Sequence, residues 1–145
     1  MCISVLLIDD EEDFVATLAK RLAVRRLRVS TANNGRQALE WLASNPVDVV
    51  VVDMRMPDMN GIEVTRAVKR EHALVEVILL TGHANLEASL EGMEAGAFDY
   101  LLKPVAIDEL VYKIEDARSK KALQEEKIRR MQRRSASTPG ESTGS

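Results

Sequence analysis

Five short apolar runs, each followed by a helix-length segment with apolar residues every three or four positions, restrict this chain to very few architectures. The runs are Ile3–Ile8, Leu27–Ala32, Val47–Val52, Val75–Leu80 and Ala97–Leu102. Val47 to Val52 and Val77 to Leu80 are nearly continuous in Val, Ile and Leu, as parallel strands covered on both faces require. The run around Arg28 is more polar and predicts an edge strand. The intervening segments carry Phe14, Leu18 and Leu22, then Ala38, Leu39 and Leu42, then Ile62, Ala67 and Val68, each a helical stripe. Asn34-Gly35 opens the second helix and Asn45-Pro46 closes it, Asn60-Gly61 opens the third, Gly96 follows the fourth, and the fifth starts after Pro104. Alternation of this kind forces right-handed crossovers, hence an α/β domain of the (βα)5 doubly wound type, with helices on both faces of a parallel sheet.

A chain of 145 residues suits one such domain, and with only 3% aromatic residues its core must be aliphatic. We place the domain at residues 1–117. Residues 118–134 hold eight basic and two acidic side chains, an excess of six positive charges, so the remainder of a chain of net charge −3 carries −9. An acidic body argues against direct nucleic-acid binding, while the basic segment suits an acidic partner. That segment can prolong the fifth helix into solvent. Its four-three series Leu110, Ile114, Ala117, Lys121, Gln124, Ile128 and Met131 is interrupted at Lys121 and Gln124, so a solvated linker helix is expected rather than a stable zipper. Residues 135–145, rich in Ser, Thr and Gly, are expected to be disordered. The apolar opening is too short to span a bilayer and no basic stretch precedes it, so no membrane association and a cytoplasmic location are expected. The single Cys2 supports neither a disulfide framework nor a thiolate zinc site, and His72 and His83 are too isolated to form a metal centre.

Ligands of an open parallel sheet bind beyond the carboxyl ends of the strands. There the first strand ends in Asp9-Asp10, the third in Asp53, the fourth in Thr81 and the fifth in Lys103. Three converging carboxylates repel one another, and a hard cation with oxygen ligands relieves the repulsion. Magnesium suits such a site, with manganese an acceptable substitute. A carboxylate can also attack phosphorus to give an aspartyl phosphate, whose charge the metal, the Lys103 ammonium and the Thr81 hydroxyl could offset.

Four motifs carry this chemistry: Leu6-Leu-Ile-Asp-Asp-Glu11, Val49-Val-Val-Val-Asp-Met-Arg-Met-Pro57 with Gly61, Leu79-Leu-Thr-Gly-His-Ala84, and Asp99-Tyr-Leu-Leu-Lys-Pro104. In this order and at these separations they resemble the receiver domains of two-component response regulators, over roughly residues 3 to 117. The resemblance implies a flavodoxin-like sheet in the order 2-1-3-4-5. It implies phosphorylation of Asp53 by a sensor histidine kinase or phosphotransfer protein. It also implies magnesium held directly by Asp10, Asp53 and the backbone carbonyl of Arg55, and by Asp9 through water. Thr81 and Tyr100 would form the switch, Lys103-Pro104 would be a cis peptide, and the surface of the fourth helix, fifth strand and fifth helix would control an output domain or partner, or form a homodimer. The Leu80-Thr-Gly-His-Ala84 segment and the long fifth helix are similar to receivers of nitrogen-regulation-class transcriptional activators.

Simpler roles compete at each position. Asp9 and Asp10 could cap the first helix, Thr81 and Lys103 taken singly would be a strand residue and a surface charge, and Tyr100 could cover the fourth helix. Trp41 is read as packing of the second helix. Arg55 and His83 each lie two residues beyond a site residue, where a side chain can influence attacking water and hence phosphoryl lifetime. An aspartyl phosphatase would place a general acid two residues after its nucleophile, where this chain has Arg55. A flavodoxin-like cofactor binder would need a phosphate loop where Asp9-Asp-Glu-Glu-Asp13 repels phosphate. The reading is therefore a signalling module rather than an enzyme in its own right, either stand-alone or part of a longer regulator.

Overall fold

In a computed structural model, which describes residues 2–82 and 86–144, the side chains as far as 135, strands and helices alternate along the whole chain. The order is β1 (Ser4–Ile8), α1 (Glu12–Val24), β2 (Arg28–Ala32), α2 (Gly35–Leu42), β3 (Val49–Asp53), α3 (Gly61–Glu71), β4 (Glu76–Thr81), α4 (Leu86–Glu94), β5 (Asp99–Leu102) and α5 (Ile107–Gly144). All strand pairs are parallel, and the sheet order is β2-β1-β3-β4-β5, as the resemblance implies.

Strand periodicity divides the core in two. Leu6, Ile8, Val50, Val52, Val77 and Leu79 face α2 and α3, while Val5, Leu7, Val49, Val51, Ile78 and Leu80 face α1 and α5. Both β3 and β4 are buried throughout, whereas β2, at the edge, has only Ala32 buried. The ladders start one or two residues later than the apolar runs. Val47 and Val75 are buried but stand ahead of the hydrogen-bonded ladder, because hydrophobicity reports burial rather than pairing.

Local signals place the helices. Asn34 caps α2 by accepting the Gln37 N–H, and Asn60 forms a reciprocal capping box with Glu63 at α3. Gly96 takes a positive φ of 109° just after α4, a conformation that side chains with a Cβ rarely adopt. The α2 helix ends at Leu42, ahead of Asn45-Pro46, where Asn45 Nδ2 donates to the Trp41 carbonyl at 2.8 Å. Trp41 packs against the α2–α3 side of the core, in the role read for it.

Leu110, Ile114 and Ala117 of α5 are fully buried. The helix continues beyond them and includes 135–144, where the sequence predicts disorder. No helix among the described residues is long and apolar enough to cross a membrane.

Candidate functional site

The site forms where the sheet changes direction, since β1 and β3 are neighbours whose crossovers run to opposite sides. Asp9 and Asp10 directly follow β1, Asp53 ends β3, Thr81 ends β4 and Lys103 directly follows β5. The fold therefore brings together carboxylates from two central strands and a cation from the edge.

Asp9, Asp10 and Asp53 each offer a carboxylate oxygen within 4.8 Å of the others, a group that could hold a metal ion. Asp9 is 2% exposed and Asp53 7%, whereas Asp10 is exposed. The Lys103 ammonium lies 2.9 Å from Asp9 Oδ2, 2.9 Å from Asp53 Oδ1 and 3.5 Å from Glu11 Oε1. The Glu11 amide donates to Asp9 Oδ1 at 3.0 Å, and the Arg55 amide donates to Asp53 Oδ2 at 3.1 Å. Both Asp9 oxygens thus have a donor. Helix α1 begins with Glu11 as its cap residue and without a side-chain cap, so neither aspartate serves as the conventional cap.

Burial pushes the Asp53 carboxyl above its ordinary value, and the Asp9 charge adds to that, outweighing the Lys103 and Arg55 hydrogen bonds. Burial works against the Lys103 charge, yet its hydrogen bonds with Asp9 and Asp53 raise it above the usual lysine value. One ammonium facing three carboxylates leaves negative charge uncompensated. Oxygen donors with excess negative charge fit a hard divalent cation such as magnesium.

Packing holds Asp53 in place. The Met54 N–H donates to the Leu80 carbonyl at 2.8 Å, and Met54 in turn accepts the Gly61 N–H at 2.9 Å. A Cβ on Gly61 would stand 2.7 Å from the Asp53 carbonyl oxygen and 3.0 Å from Met54 Cα, so α3 can approach the loop only because residue 61 is glycine.

Thr81 is buried beside Asp53, one residue beyond Leu80, the register partner of Asp53 in β4. Its carbonyl accepts the Lys103 N–H at 2.8 Å, and the Lys103-Pro104 peptide is cis. Tyr100, paired with Leu79, is 38% exposed. The Arg55 side chain is exposed and lines a cavity of about 620 Å³ together with Met54, Pro57 and Glu91. His83 lies outside the described residues. Two contributors escaped the sequence reading: Glu11 beside Lys103, and Phe14, whose ring centroid lies 4.2 Å below the Lys103 ammonium. Phe14 reads as part of an apolar helix stripe, and only its place on the first turn of α1 hints at the site.

The family model of the response regulator receiver domain matches residues 5–115. The chain is 40% identical over 113 residues to the DNA-binding transcriptional regulator NtrC of Escherichia coli, covering 78% of this chain and 24% of that protein. It is 42% identical over 108 residues to a probable cyclic di-GMP phosphodiesterase of Vibrio cholerae, covering 72% and 24%. The chain thus spans about a quarter of the length of these curated relatives. A receiver domain from Clostridium thermocellum has a similar structure, with a TM-score of 0.80 and 34% identity over 84% of this chain and 98% of that one.

Proposed function

The chain belongs to the response regulator receiver domain family, and from that premise we propose that it is switched by phosphorylation of Asp53. Receiver domains are signalling domains of two-component systems. The observation that carries the proposal is the placement of the Lys103 ammonium 2.9 Å from Asp53 Oδ1 at the convergence of β1, β3 and β5.

An Asp53 carboxylate oxygen donates an electron pair to the phosphorus of a phosphohistidine. The new O–P bond forms as the P–N bond breaks, and the imidazole leaves with the electron pair of the P–N bond. The donor is a sensor histidine kinase or a phosphotransfer protein. The Arg55 amide fixes one carboxylate oxygen, and Lys103 offsets the charge gathered on the phosphoryl oxygens. Magnesium, or manganese in its place, held by Asp10, Asp53 and the Arg55 carbonyl and by Asp9 through water, would supply further positive charge there. The exposure of Asp10 favours its direct role, and the indirect role of Asp9 is taken from the family resemblance. The domain's own chemistry is limited to taking up a phosphoryl group on Asp53 and losing it again to water. The Arg55 side chain, and His83, would tune phosphoryl lifetime.

In the switch, the Thr81 hydroxyl turns toward the phosphoryl oxygens and Tyr100 rotates inward behind it, as a population shift limited by the phosphoryl group's preference for the active arrangement. Leu86, Leu90 and Met93 on α4, Leu102 on β5 and Tyr112 on α5 are exposed, which suits an output or dimerisation surface. The output of the whole protein would be joined to this domain, as in NtrC, whose name describes a DNA-binding transcriptional regulator.

Beryllofluoride, a phosphoryl mimic, tests the switch through backbone amide shifts and sedimentation. Shifts should spread from Asp53 to α4, β5 and α5, and Thr81→Ala should weaken that spread while phosphorylation persists. Shifts confined to the Asp53 pocket, with association unchanged, would refute the proposed output surface.

A further inference from the structure

At the end of the sheet opposite Asp53, α5 does not simply leave into solvent after Ala117. Asp48, just before β3, accepts the Ser4 N–H at 2.9 Å and the Ser4 hydroxyl at 3.3 Å. Its Oδ1 also lies 3.3 Å from Lys121 Nζ and 3.3 Å from Arg118 Nε, the latter an ion pair without hydrogen-bond geometry. Glu76, the first residue of β4, is 2% exposed, which would be costly for an unpaired carboxylate. Lys120 lies 3.4 Å from its Oε2, and Lys69 of α3 lies 3.4 Å from its Oε1. Lys69 also donates to the carbonyls of Ala73 and Val75, so its position is fixed from the body side. Lys120 Nζ further lies 5.9 Å from the Phe98 ring centroid.

Three basic residues within one turn of α5 thus meet two acidic groups presented by the first ends of β3 and β4. We infer that Arg118, Lys120 and Lys121 latch the start of the basic extension onto Asp48 and Glu76, making the extension a rigid arm with a fixed direction. The latched strands are the ones whose far ends carry Asp53 and Thr81, so the arm is referenced to the same two strands as the site. Partial burial protects the latch from screening, because Lys121 and Asp48 side chains are only 14% and 17% exposed. Beyond it, Arg129, Arg130 and Arg133 pair with Glu126 of the same helix, so these three arginines do not tie the arm to the body.

The test measures the distance between spin labels on the body and the arm. The exposed Glu40 and Gln132 are labelled as Glu40→Cys and Gln132→Cys in a Cys2→Ser background. The latched protein should give one narrow distance distribution. Combining Arg118→Gln, Lys120→Gln and Lys121→Gln should widen it about twofold as the first turn of the arm is freed to move away from Asp48 and Glu76. Combining Arg129→Gln, Arg130→Gln and Arg133→Gln removes the same charge and should leave the width unchanged. If the proximal triple variant does not fold, Lys120→Gln alone, at a half-exposed side chain, should produce part of the widening. A distribution that stays narrow without the proximal charges, is already broad with them, or widens equally with the distal triple would overturn the latch.

Discussion

Lys103 reaches Asp53 across a strand: β4 lies between β3 and β5, yet Lys103 Nζ stands 2.9 Å from Asp53 Oδ1. The contact is possible because Lys103 follows β5 two residues beyond Leu101, the residue level with Asp53 through Leu80, so its long side chain can cross the end of β4. The same ammonium binds Asp9 beyond β1, so one side chain neutralises charge from two central strands. Its side chain is 17% exposed and rests on the Phe14 ring, which limits access of competing water.

Replacing Lys103 by Gln should leave two buried carboxylates facing each other. Stability should fall by about 2 kcal/mol, the cost of breaking charge-assisted hydrogen bonds in a partly buried network. Magnesium should restore more stability to Lys103→Gln than to the parent, because the variant has the larger uncompensated charge. Urea unfolding with and without magnesium measures both effects. Equal magnesium stabilisation of the two proteins would contradict this account of the site's charge balance.

Asp9 and Asp10 are adjacent in sequence but differ in what their oxygens already bind. Asp9→Ala should weaken magnesium binding by about tenfold, as loss of an indirect ligand does, and Asp10→Ala by more than about a hundredfold. Calorimetric titration of both variants decides the order, and the reverse order would exchange their roles.

Asp48 should make stability depend on acid pH. Burial alone would raise its carboxyl, but the Ser4 amide, Lys121 and Arg118 outweigh burial and hold it below the ordinary carboxylate value. A group depressed in the folded state contributes stability above its unfolded value, near 3.8, and loses that contribution as pH falls through the folded value. Asp48→Asn should therefore cost about 1 kcal/mol at neutral pH, and the difference should shrink below about pH 4. Thermal melts of both proteins across that range measure it. A difference independent of pH would mean that Asp48 acts through its shape rather than its charge.

The sequence made the site legible because each of its principal residues sits at the end of an apolar strand, so a parallel sheet alone is enough to bring Asp9, Asp10, Asp53, Thr81 and Lys103 to one edge. Helix starts were equally legible where a local side chain sets them, as Asn60 and Glu63 do at α3. Phe14 was not, because an aromatic on a helix stripe looks like core until the position of Lys103 is known. The latch was hidden for a similar reason. Arg118 and Lys121 are far from Asp48 and Glu76 in sequence, and their meeting depends on how far α5 runs along the sheet. A run of basic residues after the last buried position looks like a solvated linker without that geometry.

The central claim is that Asp53 accepts the phosphoryl group in this carboxylate and lysine cluster, and intact-mass measurement after treatment with acetyl phosphate tests it most directly. With magnesium present, the parent protein should gain one phosphoryl group that hydroxylamine removes, and Asp53→Asn should gain none. Equal modification of the two proteins, or modification of the parent that is indifferent to magnesium, would contradict the account.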